Sequence, residues 1–221
     1  MKTEKGDSPL FSKKRGLSPF FPVDVDNLSV RERYHLLVST VIPRPIAWVS
    51  SVNQKGQTNL APFSFFNAIA ANPMSVCFAP VNDRNGKPKD TLLNIKETRQ
   101  FVVNIANEDN AEKMNATSET YPYGVSEFEK AGLTPLPSLK VKPPRVLESP
   151  VQMECELLQI VTLSEGPLGG NLVIGKVVMF HADEKIWNNG DIRHQDLKAV
   201  GRMAGNWYAR TQDAFELIRP K

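Results

Sequence analysis

The segment Val41-Ile42-Pro43-Arg44-Pro45-Ile46-Ala47-Trp48-Val49-Ser50-Ser51 runs through Asn53-Gln54-Lys55-Gly56-Gln57 into Asn59-Leu60-Ala61-Pro62-Phe63-Ser64-Phe65-Phe66-Asn67. Apolar, β-branched and aromatic residues flank a short glycine-containing loop, which is the signature of a hairpin, so consecutive strands pair antiparallel. The same segment carries more hydroxyls, amides and guanidinium than packing needs. That density points to a ligand.

Outward from this hairpin, strand signals recur over residues 74–79, 100–105, 151–163 and 172–180, and the hairpin's own first strand spans 45–52. Val151, Met153, Cys155 and Leu157 alternate with Gln152, Glu154 and Glu156, giving one dry and one wet face until Leu157-Leu158 breaks the phase. A bulge or bend is predicted there. Residues 165–171, rich in glycine, form a second and looser hairpin loop.

Short helices are predicted over residues 29–37, 90–98, 109–117 and 127–131. Ser29 and Glu32 make a capping box for the first, and Gly132 stops the last. They do not alternate regularly with strands, and no Gly-x-Gly-x-x-Gly turn joins a strand to a helix, which disfavours a doubly wound parallel sheet. Residues 135–150 are proline-rich and read as an extended crossing segment. The predicted fold is mainly β: an antiparallel split β-barrel of Greek-key type with short peripheral helices.

With 221 residues the chain can build one sizeable core, assigned to residues 21–221; residues 1–20 are too polar to bury surface and read as a flexible basic tail. A formal charge of +3, with 27 basic residues spread among 24 acidic ones, gives no footprint for nucleic acid. Cys77 and Cys155 lie far apart without a CxxC, so neither a disulfide framework nor a zinc site is suggested. No apolar run has the length of a signal peptide or a spanning helix, so a soluble, cytoplasmic protein is expected.

No Gly-x-Ser-x-Gly, P-loop or His-Glu-x-x-His motif occurs, and His35, His181 and His194 share no ligand spacing. Any difficult chemistry therefore belongs to a cofactor. Arg84, Lys87 and Lys89 crowd the start of the helix expected at Asp90, where free N–H groups and the positive dipole end suit a phosphate, with Thr91 as hydroxyl donor. Asp90 also reads as a plain N-cap beside a solvated loop. Arg44 is open to two readings, a ligand group or a surface arginine pinned between prolines. Trp48 either fills the core or narrows a ligand pocket. The phenylalanines read most simply as core.

Pro43-Arg44-Pro45-Ile46-Ala47 with Val49-Ser50-Ser51, Asn59-Leu60-Ala61-Pro62-Phe63-Ser64-Phe65-Phe66, and Lys89-Asp90-Thr91-x-x-Asn94-Ile95 ahead of residues 101–105 together resemble the flavin reductase-like family, the FMN-binding split barrels related to flavoredoxin. Ser126-Glu127-Phe128 and Gly201-Arg202-Met203-Ala204-Gly205-Asn206-Trp207-Tyr208 extend the resemblance to the C-terminus. It implies a homodimer with FMN, or FAD, near the subunit interface, and NADH or NADPH as co-substrate. Carried onto this chain it names Arg44, Ser50, Ser51, Asn59, Ala61, Ser64, Phe65 and Asn67 along the flavin, Lys89, Asp90 and Thr91 at its phosphate, and Arg202 and Tyr208 approaching from the C-terminal segment. It implies no catalytic acid or base and no metal. A monooxygenase or another electron acceptor would take the electrons; an FMN protein that only relays electrons to a partner is the alternative.

Overall fold

The computed structural model describes residues 20–220; the tail expected over residues 1–20 lies outside them except for Phe20. Helix α1 (Val30–Thr40) starts from the predicted cap, the Ser29 hydroxyl accepting the Glu32 N–H while the Glu32 carboxylate accepts the Ser29 N–H. Strands β1 (Ala47–Val52) and β2 (Thr58–Phe63) form the first hairpin, with Ala47 opposite Phe63 and Val52 opposite Thr58. Its loop turns at Gly56, where φ is 78°. A second hairpin follows, β3 (Phe66–Ala71) with β4 (Met74–Phe78), then α2 (Asp90–Thr98), β5 (Gln100–Ile105), α3 (Ala111–Ala116) and α4 (Glu127–Lys130). A two-residue ribbon of β6 (Pro135–Leu136) and β7 (Arg145–Val146) precedes the long pair β8 (Val151–Thr162) and β9 (Asn171–Ala182). The chain closes with α5 (His194–Leu197) and the ribbon β10 (Val200–Arg202) with β11 (Tyr208–Arg210).

Seven strands form one antiparallel sheet in the order β2-β1-β5-β8-β9-β4-β3. The two edge strands, β2 and β3, are consecutive in sequence with only Ser64 and Phe65 between them, so the sheet must curl until its edges meet. The result is a barrel split along that seam, with the short helices outside it. The β8–β9 register slips at Leu158, where the alternation of the sequence breaks, and again at Val178.

Every residue of β1 is buried because alternate side chains enter two cores. Ala47 and Val49 join Phe78, Leu92, Phe101 and Val103 inside the barrel. Trp48 points the other way, into a cluster with Leu60, Met114, Phe128 and Val146 between the sheet and the outer helices.

Two expectations need correction. The face of β8 read as wet is buried at Gln152 and Glu154, because residues 137–149 fold over it and supply partners: the Gln152 amide donates to Val146 and Ser149 carbonyls, and Glu154 accepts N–H groups of Leu139, Lys140 and Val141. The proline-rich crossing segment thus also covers the sheet, with extended stretches at β6 and β7. Strand β3 carried no strand signal; it is built of Asn67-Ala68-Ile69-Ala70-Ala71 and lies at the seam, where pairing with β4 on one side suffices.

Candidate functional site

The N-terminus of α2 opens into a cavity of about 250 Å³ walled by β2 and by residues 117–121. Lys89, not Asp90, is the N-cap, and its side chain makes no cap bond. Asp90 is the first helical residue, and among the described residues no acceptor meets the N–H groups of Asp90 and Thr91. Thr91 is 1% exposed, and its hydroxyl accepts the Asn59 side-chain amide at 2.8 Å, which leaves its own proton to donate. Asn94, one turn on, ties α2 to β1 by donating to the Ser51 hydroxyl at 3.1 Å.

Lys87 and Lys89 face this cavity together with Asp83, Asp90, Glu119 and Glu127. Three of these carboxylates are engaged by the protein. Asp83 accepts the Asn85 and Lys87 N–H groups, and those bonds hold its carboxyl below the usual range. Glu127 accepts the Leu60 N–H at 2.8 Å, and Glu119 accepts the Tyr121 hydroxyl. Burial pushes Glu127 up despite the Leu60 bond, and burial likewise pushes Asp90 up against the opposing pull of Lys87 and Lys89.

A second, larger cavity of about 1030 Å³ lies between α1 and the C-terminal segment. Leu28, Val38, Leu168 and Met203 supply apolar wall, while Arg31, Arg84 and Arg202 supply charge. The two cavities are neighbours: Phe63 lines the first and Ser64 the second, Asp83 the first and Arg84 the second.

Arg44 borders the second cavity as a clamp. Its guanidinium donates to the carbonyls of Val38 at 2.7 Å, Val41 at 3.0 Å and Met203 at 3.1 Å, and to the Ser64 hydroxyl at 3.4 Å. Its main chain pairs with Arg202 in both directions. Of the two readings of Arg44, the surface arginine is excluded, because the residue is 4% exposed. Arg202 lies over the Tyr208 ring at 4.6 Å, and the Tyr208 hydroxyl donates to Asn115.

The structure thus brings Asn59, Ala61, Lys89, Asp90 and Thr91 together in the first cavity and places Arg44, Ser64 and Arg202 around the second. Ser50 and Ser51 line neither; both are fully buried, Ser50 donating to the Pro144 carbonyl. Phe65 is half-buried at the seam, 6.3 Å from the Tyr34 ring, and Asn67 is exposed on β3 opposite Cys77. The wall formed by residues 117–121 carried no signal in the sequence, and Glu127 was marked only as part of a motif. Among the described residues no cluster of His, Cys, Asp or Glu could hold a metal ion.

Residues 38–195 match the flavin reductase like domain. The chain is 39% identical over 199 residues to the uncharacterized protein YwrF of Bacillus subtilis, an alignment covering 88% of this chain and 97% of YwrF. Its fold superimposes on nitrilotriacetate monooxygenase component B from Bacillus cereus with a TM-score of 0.86 and 37% identity, over 90% of this chain and all of that one (100%). The Pseudomonas fluorescens 2-nitrobenzoate 2-nitroreductase NbaA gives 0.81 and 33% over 90% and 96%. The chain belongs to the flavin reductase like domain family.

Proposed function

We propose that this chain binds FMN and acts as an NAD(P)H-dependent flavin reductase. The observation that carries the reading is the uncapped N-terminus of α2, with two open amides, the Thr91 hydroxyl and the Lys87 and Lys89 ammonium groups around one cavity. That donor set fits a terminal phosphate. The carboxylates in the same cavity oppose an anion, but Asp83 and Glu127 turn their charge onto backbone N–H groups, leaving Asp90 as the principal repulsive neighbour.

From there β2 leads away with Asn59 and Ala61 facing the cavity, residues suited to line a polyhydroxyl chain, and Ser64, Phe65 and Asn67 continue toward the seam. A flavin ring would then lie where the two cavities adjoin. A flavin held there would supply the redox chemistry, its reduction by hydride balanced by oxidation of NADH or NADPH. The protein's part is to position and exclude water. Of the histidines, His181 is bonded to Glu154, His194 is exposed, and His35 is exposed on the lining of the larger cavity.

Exposed apolar residues outside both cavities, Leu37 on α1 and Ile69 on β3, provide surface for the homodimer that we expect. The likeness to a monooxygenase component B makes a monooxygenase component the expected electron acceptor. Free Cys77 and Cys155 suit a reducing compartment, the cytoplasm being the expected one, and no described helix is long and apolar enough to cross a membrane.

The test is an absorption spectrum of the purified chain with FMN added, followed by anaerobic titration with NADH and NADPH. Bleaching of the flavin band at catalytic rates supports the reductase; a bound flavin that neither nicotinamide bleaches replaces it with an electron carrier.

A further inference from the structure

Arg84 and Lys87 are three residues apart on one loop, and both are candidates for the flavin phosphate on sequence alone. The fold separates them. Lys87 faces the cavity at the start of α2, whereas Arg84 faces the larger cavity beside α1. The loop that divides them is rigidly shaped: the Asp83 carboxylate accepts the Asn85 and Lys87 N–H groups at 2.7 and 2.8 Å, and the Asp83 main chain bonds both to Lys87 and to Leu168. Those bonds fix the backbone from which Arg84 leaves the loop on the side of the larger cavity.

The larger cavity has the character of a site for a flat, partly apolar anion. Its walls include Leu28, Val38 and Leu168, and Arg31 and Arg84 make no ion pair among the described residues. The carboxylate of Glu32, also in the lining, is held by the Ser29 cap. Its volume, about 1030 Å³ against about 250 Å³, suits a dinucleotide rather than a single phosphate group. Ser64, Arg44 and Arg202, assigned to the flavin, share its lining, so a dinucleotide there would lie beside the flavin.

We infer that Arg84, with Arg31 on the same cavity, binds a phosphate of the nicotinamide dinucleotide, while Lys87 serves the flavin phosphate. The inference rests on the reductase reading. A guanidinium and a phosphate make charge-assisted bonds that a neutral side chain cannot replace.

The experiment measures binding of NADP+ and NAD+ to the FMN-loaded full chain by calorimetry, and of FMN to the apoprotein by fluorescence, in wild type, Arg84→Ala and Lys87→Ala. Arg84→Ala is expected to weaken the dinucleotide about tenfold and leave FMN affinity unchanged, and Lys87→Ala to weaken FMN. Loss for NADP+ alone assigns Arg84 to the 2′-phosphate; loss for both assigns it to the shared diphosphate. If wild type binds the dinucleotides and Arg84→Ala binds them equally well, or if Arg84→Ala weakens FMN, the division of the two cations is overturned while the reductase reading stands. Wild type that holds FMN but binds neither dinucleotide overturns both.

Discussion

Asn59 on β2 donates its side-chain amide to the Thr91 hydroxyl on α2, 2.8 Å away. Both residues are buried, so the bond fixes the helix end against the strand and orients the Thr91 proton toward the cavity. Thr91→Val keeps the shape and removes the hydroxyl. It is expected to weaken FMN by about 1–2 kcal/mol and to lower the stability of the flavin-free protein, because Asn59 loses its acceptor. Thr91→Ser should retain most of both. A fluorescence titration with FMN checks this, and unchanged affinity in the valine variant would remove Thr91 from the phosphate site.

Trp48 resolves as a core residue. It is fully buried, and its indole N–H donates at 2.9 Å to the Thr117 hydroxyl, which in turn donates to the Met114 carbonyl. Thr117 lines the first cavity, so Trp48 braces a wall of the site without entering it. Trp48→Phe is expected to lower unfolding free energy by about 2 kcal/mol through lost volume and the loss of the N–H that the Thr117 hydroxyl accepts. The ratio of NADH to NADPH turnover should not change. A shift in that ratio would put the indole back in the pocket.

What the sequence made legible was whatever is decided locally. The Ser29 and Glu32 cap, the limits of α2 and β5, and the bulge at Leu158 each follow from a pattern within a few residues, and the structure reproduces them. Glu154 was misread because its partners lie 13 to 15 residues back in a segment whose path no periodicity encodes. The side-chain bonds of Arg44 and Ser50 are out of reach of the sequence for the same reason. Their acceptors include carbonyls of Val38, Met203 and Pro144, and a carbonyl has no sequence signature. That Asn59 and Thr91 face one cavity and Arg44 borders another is likewise revealed only by the fold.

Gly175 on β9 is required by close packing. A Cβ there would lie 2.3 Å from Phe101 Cζ and 2.8 Å from its Cε1, with Cys155 Cβ at 3.4 Å. Phe101 is fully buried and stacks edge-on against Phe78, with ring centroids 5.4 Å apart, so it has nowhere to retreat. Gly175→Ala should destabilise the protein by about 2–3 kcal/mol in urea unfolding. Combining it with Phe101→Leu should cost less than the sum of the two single changes. Additive costs would show that the ring is not what the methyl meets.

Glu154 couples the cover segment to acid pH. Its carboxylate is fully buried and takes N–H groups of Leu139 at 2.8 Å, Lys140 at 2.6 Å and Val141 at 3.2 Å, with His181 Nε2 at 2.6 Å. Burial by itself would raise the carboxyl, but these donors, led by Leu139 and His181, outweigh it and hold the group below its ordinary range. The folded chain therefore keeps Glu154 ionised at acidities where the unfolded chain has already taken up the proton. Its stabilising contribution is complete above the ordinary carboxylate range and is lost as pH falls through the lower, folded value. Glu154→Gln removes the charge and turns one amide N–H toward backbone donors, so it should cost about 2–3 kcal/mol at neutral pH. Urea unfolding from neutral into acid pH should show the wild type losing this advantage until the two proteins converge. Parallel curves, with the difference maintained into acid, would show that the ionised state of Glu154 contributes nothing to holding the cover in place.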